Sequence, residues 1–137
     1  PRAVKAIKKA DLILVGPGGL FTSILPNFLH EEIRKEFNRS KAKKIYIVNV
    51  STERGETDDF KLSDHLLAIH NYVGAVDITL VNNNLFKKGA GDGFAAPVEI
   101  DMKNDNIYQA DLRSEGNPLY HDSQKLAEVI FGIINSK

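Results

Sequence analysis

The chain has 137 residues, 18 basic against 18 acidic side chains, and no cysteine. A chain of this length fits one domain with a core of its own, and the lack of cysteine excludes disulfides, thiolate zinc sites, iron–sulfur clusters and a cysteine nucleophile. The zero net charge argues against a nucleic-acid binder, since such proteins carry a basic excess. No apolar run approaches the ~20 residues that cross a bilayer, and the opening residues lack the apolar stretch of a signal peptide. We therefore expect a cytoplasmic protein with no membrane span.

The first third of the chain predicts a helix, a strand and a second helix. Residues 3–9 have the pattern of the end of an amphipathic helix. The short apolar run at 12–16 is typical of a strand that is covered on both faces. After a glycine-rich loop at 16–23, the apolar spacing predicts one continuous helix over 24–38, with Pro26 in its first turn.

The middle of the chain repeats this plan. A second buried strand is predicted over 44–50, and a helix over 64–73 follows a polar loop. Ser63 is expected to cap the start of that helix, and Gly74 stands where a helix commonly ends. A third strand is predicted over 77–83. Two strand–loop–helix units in succession favour parallel pairing of the strands.

The last third predicts two short strands or sheet edges, at 97–101 and 107–112, and a closing helix over 121–134 with Asp122 or Ser123 as its N-cap. The whole pattern predicts the α/β class: a Rossmann-like, three-layer α/β/α fold with a mainly parallel sheet, in a single domain over 1–137. The helix at the start indicates that the chain is the C-terminal portion of a larger domain. An open sheet edge must be covered, so we expect a homo-oligomer, in the simplest case a dimer.

Ligands of open α/β sheets bind outside the carboxyl ends of the strands, which directs attention to the loops 16–23, 51–62 and 82–97. In the first loop, glycines allow close approach of the backbone, and two hydroxyls stand where a helix begins. This chemistry suits a phosphate or another anion, and an ordinary strand-to-helix turn would use the same residues: Gly16, Gly18, Gly19, Thr22 and Ser23. The loop is not a Walker loop, because no Gly-Lys-Ser/Thr follows, and it is not the dinucleotide fingerprint, because Phe21 holds the place of the third glycine.

The second loop is acidic. It could bind sugar hydroxyls or a Mg²⁺ ion that accompanies a phosphate, and it could equally be a solvated loop before a helix. Asn49, Asn82 and Asn83 lie at or beyond predicted strand ends, where amides can read a base or sugar edge and are also common turn residues.

Three segments, at 10–29, 45–69 and 76–83, together with the terminal HDSQKLAEVI, resemble the YvcK/CofD-like family (gluconeogenesis factor, UPF0052). The glycine-rich GPGGLFTSILPN is more similar to the YvcK branch. The resemblance implies a regulatory protein that binds a nucleotide sugar, in particular a UDP-sugar, and is linked to gluconeogenic growth, cell shape and cell-wall precursor control. The first alternative is a CofD-like 2-phospho-L-lactate transferase with a nucleotide-activated donor, and the second is a non-catalytic interaction domain.

The same resemblance implies the site. One wall of a nucleotide-diphosphate pocket would consist of the five residues of the glycine-rich loop with Asn27, and the neighbouring wall of Asn49, Thr52, Gly55, Glu56 and Thr57. From its position at a strand end, Asn82 is a further candidate ligand-binding residue. If the protein is a transferase, Mg²⁺ would accompany the diphosphate, and the candidate ligands are Asp58, Asp59 and Asp64.

Overall fold

The computed structural model describes residues 1–89 and 93–136. The elements in chain order are α1 (Arg2–Lys9), β1 (Leu12–Val15), a π-helical turn (Leu20–Ile24), α2 (Leu25–Phe28), α3 (Glu31–Arg39), β2 (Lys43–Ile47), α4 (Leu62–Tyr72), β3 (Ile78–Asn82), β4 (Ile107–Ala110) and α5 (Ser123–Asn135). Part of the third predicted loop, residues 90–92, lies outside the described residues. No helix in the described part of the chain is both long and apolar enough to cross a membrane.

The four strands form one parallel sheet in the order β1-β2-β3-β4. Apolar residues of α2, α3 and α4 pack on one face of this sheet, and those of α5 pack on the other. The predicted α/β class and three-layer arrangement are confirmed.

The core has two halves because successive residues of a strand point to opposite faces. Tyr46 faces α3 and α4 and packs with Phe37 and Ile69, whereas Ile47 faces α5 and packs with Ile133. Full burial of each such large side chain stabilises the fold by roughly 1.5–3 kcal/mol. The strands β2 and β3 are thus held between two apolar layers.

The first strand departs from its predicted environment. Residues 12–16 were expected to be covered on both faces, but β1 lies at the edge of the sheet and Leu14 is 44% exposed. The apolar side of α5 packs over β2 and β3 and reaches only Leu12 of β1. On this face of the sheet, α5 therefore leaves most of β1 uncovered.

The predicted continuous helix over 24–38 is wrong, because α2 and α3 are separate and the chain is extended at His30 between them. The break leaves Leu29 77% exposed. It also lets Phe28 and Phe37 meet edge to face, with ring centroids 5.2 Å apart. An i, i+4 pattern does not distinguish this packing from that of one straight helix.

The start of α4 also differs from prediction. Ser63 is not the N-cap: α4 begins at Leu62, two residues before the predicted start. Ser63 donates from both its N–H and its hydroxyl to the Asp101 carboxylate. The predicted end at Gly74 is confirmed, since Gly74 has φ +137° and donates to the Ile69 carbonyl. The segment 97–101 forms only one antiparallel bridge, between Pro97 and Ser51.

Candidate functional site

A cavity of about 590 Å³ lies outside the carboxyl ends of β1 and β2. Most of its wall comes from three segments that are distant in sequence: the glycine-rich loop, the acidic loop and the chain just before α5. Ala95, from a fourth segment, also lines the cavity. The lining residues are Pro17, Gly18, Gly19, Asn49, Val50, Ser51, Thr52, Glu53, Arg54, Ala95, Leu119, Tyr120 and His121. The parallel sheet accounts for this position, because all its strands end at the same edge.

The glycine-rich loop leaves β1 through a turn that only glycine fits. Gly16 has φ +89°, and a Cβ at this position would lie 2.8 Å from the Ile47 carbonyl oxygen. Beyond the turn, the Gly18 N–H donates to Asn49 Oδ1 at 3.1 Å. The end of β2 therefore fixes the path of the loop that follows β1.

Asn49 also holds the acidic loop. Its Nδ2 donates to Glu53 Oε1 at 3.0 Å. The same carboxyl lies against Gly19, where an added Cβ would be 2.9 Å from Glu53 Oε2. The glycine at position 19 thus makes room for the Glu53 side chain at the wall of the cavity.

A second carboxyl lies behind the first. Neither side-chain oxygen of Glu56 is exposed, and neither has a hydrogen-bond partner among the described residues. The neighbouring Glu56 carboxyl and then burial raise the pKa of Glu53 to about 7, although the Asn49 amide opposes the shift. Neighbouring carboxyls cannot both ionise easily, so the pair retains a proton near neutral pH.

The backbone of the acidic loop is fixed by two threonines. Thr52 donates from its N–H to the Ala96 carbonyl at 2.8 Å, and its Oγ1 accepts from the Ala96 N–H at 3.2 Å. Thr57 is 2% exposed, and its Oγ1 accepts from the Glu53 N–H at 2.8 Å. These bonds hold the segment that carries Glu53 and Arg54.

The third wall comes from the chain before α5. The Ser51 hydroxyl donates to the Leu119 carbonyl at 3.3 Å, and His121 pairs with Arg113 in an antiparallel bridge. Burial lowers the pKa of His121, and the nearby Val48 backbone opposes that shift. Its Nε2 is buried and has no hydrogen-bond partner among the described residues.

One cation lines the cavity. The Arg54 guanidinium stacks on the Phe94 ring, 3.9 Å from its centroid, which restrains an otherwise flexible side chain. No carboxylate of the described residues forms an ion pair with Arg54.

Four of the predicted ligand-binding residues line this cavity: Gly18, Gly19, Asn49 and Thr52. Three others, Gly16, Ser23 and Asn27, line a separate groove of about 370 Å³ beside α1 and α2. The remaining five have other environments. Thr22 packs against Gly19, Gly55 lines a third cleft, Glu56 and Thr57 support Glu53 from behind, and Asn82 is bonded to the backbone of Asn84 and Leu112.

The predicted metal ligands are not gathered around one point. In the described ranges, no three histidine or carboxylate side chains lie close enough to hold a metal ion. Asp58 accepts from the Gly55 N–H at 2.6 Å, and Asp64 accepts from the Lys61 N–H at 2.8 Å. A Mg²⁺ ion bound through the oxygens of a diphosphate would need fewer protein ligands, so the magnesium expectation stays a prediction.

Sequence reasoning did not select Glu53, Arg54 or His121 as site residues. Glu53 was only one of several carboxylates in the acidic loop, and Arg54 gave no signal of its own. His121 reaches the cavity because the chain at Leu119 returns to Ser51 across 68 residues. That return depends on the tertiary fold, and no local pattern indicates it.

A parallel sheet between helical layers, with a cavity outside the carboxyl ends of two strands, defines the α/β class of protein. Within that class the chain belongs to the CofD family, since the family model described as 2-phospho-L-lactate transferase CofD matches residues 1–119.

The relatives give the same result. The chain is 40% identical to the gluconeogenesis factor of Listeria innocua, over 100% of this chain and 45% of that protein. It is 33% identical to the gluconeogenesis factor of Bacillus subtilis, over 98% of this chain and 46% of that protein. A crystal structure of a UPF0052 family member from Bacillus halodurans is 36% identical and matches with a TM-score of 0.85, over 95% of this chain and 45% of that chain. The chain thus spans somewhat less than half the length of these relatives, and the predicted family resemblance is confirmed.

Proposed function

We propose that the protein is a regulatory protein of the gluconeogenesis-factor type whose cavity binds a nucleotide sugar, in particular a UDP-sugar. The observation that carries this proposal is the cavity itself, with the glycine-rich loop, the Asn49 amide and the Arg54 cation in its walls. Its volume of about 590 Å³ lies within the ~300–1,000 Å³ range of small-molecule sites.

The charges in the cavity support an anionic ligand. Arg54 supplies a donor fork that suits a diphosphate. The carboxyl nearest to it in sequence, Glu53, is only partly ionised at neutral pH, because its pKa is raised to about 7. An anion in the cavity therefore meets less repulsion than the two glutamates would otherwise cause.

The wider role follows from the family. Relatives are named gluconeogenesis factors, and we extend to this protein a role in gluconeogenic growth, cell shape and cell-wall precursor control. We further propose a cytoplasmic location, a dimer that covers the open edge at β1, and Mg²⁺ bound with the diphosphate.

Isothermal titration of the full-length protein tests the ligand class, with UDP-N-acetylglucosamine, UDP-glucose and GDP as probes, each with and without Mg²⁺. We expect both UDP-sugars to bind, and Arg54→Ala to weaken them about tenfold, which is about 1.4 kcal/mol. Arg39→Ala is the matched control, since this exposed arginine at the end of α3 is remote from the cavity residues and its loss should change nothing. Equal effects of the two variants, or no binding of UDP-sugars, would contradict the proposal.

A second candidate rests on the family match, which names a 2-phospho-L-lactate transferase. In that case the nucleotide would be part of an activated donor, and the protein would position it and neutralise its charge. Release of GMP from a guanylyl donor that requires both Mg²⁺ and a deazaflavin acceptor would favour the transferase. Neither binding nor turnover with any probe would favour a non-catalytic interaction domain.

A further inference from the structure

The charges of the chain are unevenly distributed. Residues 1–44 hold ten basic side chains against four acidic ones, whereas the rest of the chain holds eight against fourteen. The helix α1 alone has four cationic side chains and no acidic one. The net charge of zero is thus the sum of a basic region and an acidic one.

Six exposed cations lie on α1 or near the end of α3, and we call them the basic surface: Arg2, Lys5, Lys8, Lys9, Arg39 and Lys41. Arg2, Lys5 and Lys9 share one face of α1, because they follow at i, i+3 and i+7. The other three line one cleft of about 340 Å³, together with Asp11 and Glu36. Since α1 is only about 12 Å long and the Debye length is about 8 Å at physiological salt, these cations act together on an approaching charge.

Most of these cations are not neutralised by the protein. Lys8 forms an ion pair with Glu36 at 3.9 Å, and within the described part of the chain the other five form none. The helix dipole favours cations at the ends of α1 and α3, but it disfavours Arg2 and Lys5 in the first turn of α1. Stabilisation of the helices therefore does not account for the whole basic surface.

The basic surface and the cavity lie at opposite edges of the sheet. The helix α1 leads into β1, and α3 leads into β2, so both helices end at the amino ends of the parallel strands. The cavity lies outside the carboxyl ends of the same two strands. A partner on the basic surface thus leaves the cavity open to solvent.

The composition of the basic surface favours a lipid membrane over other anionic partners. Four of its six cations are lysines, and no exposed large apolar side chain of the described residues belongs to α1, α3 or 39–44. Protein interfaces are depleted in lysine and depend on aromatic anchors, and single-stranded nucleic acids stack on aromatic rings. The acidic remainder of the chain would repel a long nucleic-acid duplex, whereas it can face away from a flat membrane.

We propose that the basic surface attaches the protein peripherally to an anionic lipid membrane, with its lysine and arginine side chains at the headgroup phosphates. The apolar residues of α1, Val4 and Ile7, are half-buried against the protein, so α1 does not insert into the lipid. Attachment is therefore electrostatic, and salt weakens it. Each cation near an anionic membrane strengthens such binding about fivefold.

The test is sedimentation of the full-length protein with vesicles of equal parts phosphatidylglycerol and phosphatidylcholine, or of phosphatidylcholine alone, at low and at physiological salt. The test variants are Lys5→Glu with Lys9→Glu, which reverses two charges, and Lys5→Gln with Lys9→Gln, which only removes them. Lys87→Glu with Lys88→Glu is the matched control, since both lysines are exposed and follow β3 at the carboxyl edge. Thermal melting establishes that each variant is folded, and the Gln variant answers the question if the Glu variant is not.

We expect the wild type to bind the anionic vesicles, more weakly at the higher salt, and not to bind phosphatidylcholine alone. Both test variants should lose tenfold or more in affinity for the anionic vesicles, and the control variant should bind like the wild type. No binding to anionic vesicles, equal binding to both kinds of vesicle, or an equal loss in the control would overturn the proposal. Binding to duplex DNA at a salt concentration at which the anionic vesicles are not bound would assign the surface to nucleic acid and overturn it as well. Since the cavity lies at the other edge of the sheet, each of these results leaves the proposed function standing.

Discussion

Asn49, at the end of β2, accepts a hydrogen bond from the Gly18 N–H across 3.1 Å and so joins the loop after β1 to the loop after β2. The other end of the same amide donates to Glu53 at 3.0 Å. One side chain thus sets the distance between the two walls of the cavity. An aspartate at this position could accept from Gly18 but would repel the Glu53 carboxylate.

Replacement of Asn49 should therefore affect both stability and binding. We expect Asn49→Ala to lower the free energy of unfolding by about 1–2 kcal/mol, because two hydrogen bonds are lost, and to weaken UDP-glucose at least fivefold. Asn83→Ala is the control, since Asn83 is exposed just after β3. Urea denaturation measures the free energy of unfolding, and isothermal titration measures the affinity for UDP-glucose. If Asn49→Ala and Asn83→Ala gave the same values of both, Asn49 would not organise the cavity.

We expect the free energy of unfolding to depend on pH through Glu53. Its pKa is raised to about 7 in the folded protein, against an ordinary value near 4.5. The folded state therefore holds the Glu53 proton more tightly than the unfolded state does. This preference contributes fully to the free energy of unfolding below about pH 4.5, and the contribution is lost as the pH rises to about 7. Solvent screening of this partly exposed group limits the effect to about 1 kcal/mol.

The substitution Glu53→Gln removes this titration. We expect the melting temperature of the wild type, measured relative to that of Glu53→Gln, to fall between pH 5 and pH 8. A constant difference between the two proteins over this range would show that Glu53 does not retain a proton in the folded state.

We expect His65 to give the free energy of unfolding the opposite pH dependence, at lower pH. It is 1% exposed, and its Nδ1 lies 3.4 Å from the Tyr46 hydroxyl. Burial lowers the pKa of His65 to about 4 from 6.5. The folded state therefore favours the neutral form of His65. The free energy of unfolding is unaffected by His65 above about pH 6.5 and falls by an amount on the order of 3 kcal/mol as the pH drops to about 4.

Acid denaturation tests this contribution. His65→Leu should lose less stability than the wild type between pH 6.5 and pH 4, although it lacks the contact with Tyr46. His70→Leu is the control, because His70 is exposed on the same helix and should leave the acid transition unchanged. Identical acid transitions in the His65 variant and the wild type would contradict the prediction.

Replacement by alanine should change the stability of the protein in opposite directions at two glycines. Gly16→Ala places a Cβ 2.8 Å from the Ile47 carbonyl oxygen at φ +89°, and we expect it to cost more than ~1 kcal/mol and to weaken ligand binding. Gly132→Ala, inside α5 where a Cβ meets open space, should stabilise the protein by roughly 0.5–1 kcal/mol. Thermal melting measures both, and a tolerated Gly16→Ala would mean that the turn after β1 can relax.

The elements that sequence reasoning predicted well are those with strong local signals. The short apolar runs became parallel strands, Asp122 caps α5 by accepting from the Lys125 N–H at 2.9 Å, and Gly74 ends α4. The position of the cavity followed from the topology alone, since loops at the carboxyl ends of parallel strands meet at one edge. The signals for these features lie within a few residues of each other.

The features that were missed depend on contacts between distant residues. The Ser63 N–H and hydroxyl donate to Asp101, which lies 38 residues away, so the sequence near Ser63 does not indicate this contact. The helical period does not encode the break between α2 and α3, across which Phe28 packs on Phe37. His121 enters the cavity only because the chain before α5 returns to the end of β2.

The most direct test of the central claim is a crystal structure of the full-length protein with UDP-glucose. The account predicts the diphosphate within hydrogen-bond distance of Arg54, next to Gly18 and Gly19. A UDP-glucose molecule bound elsewhere, with this cavity filled only by water, would contradict it.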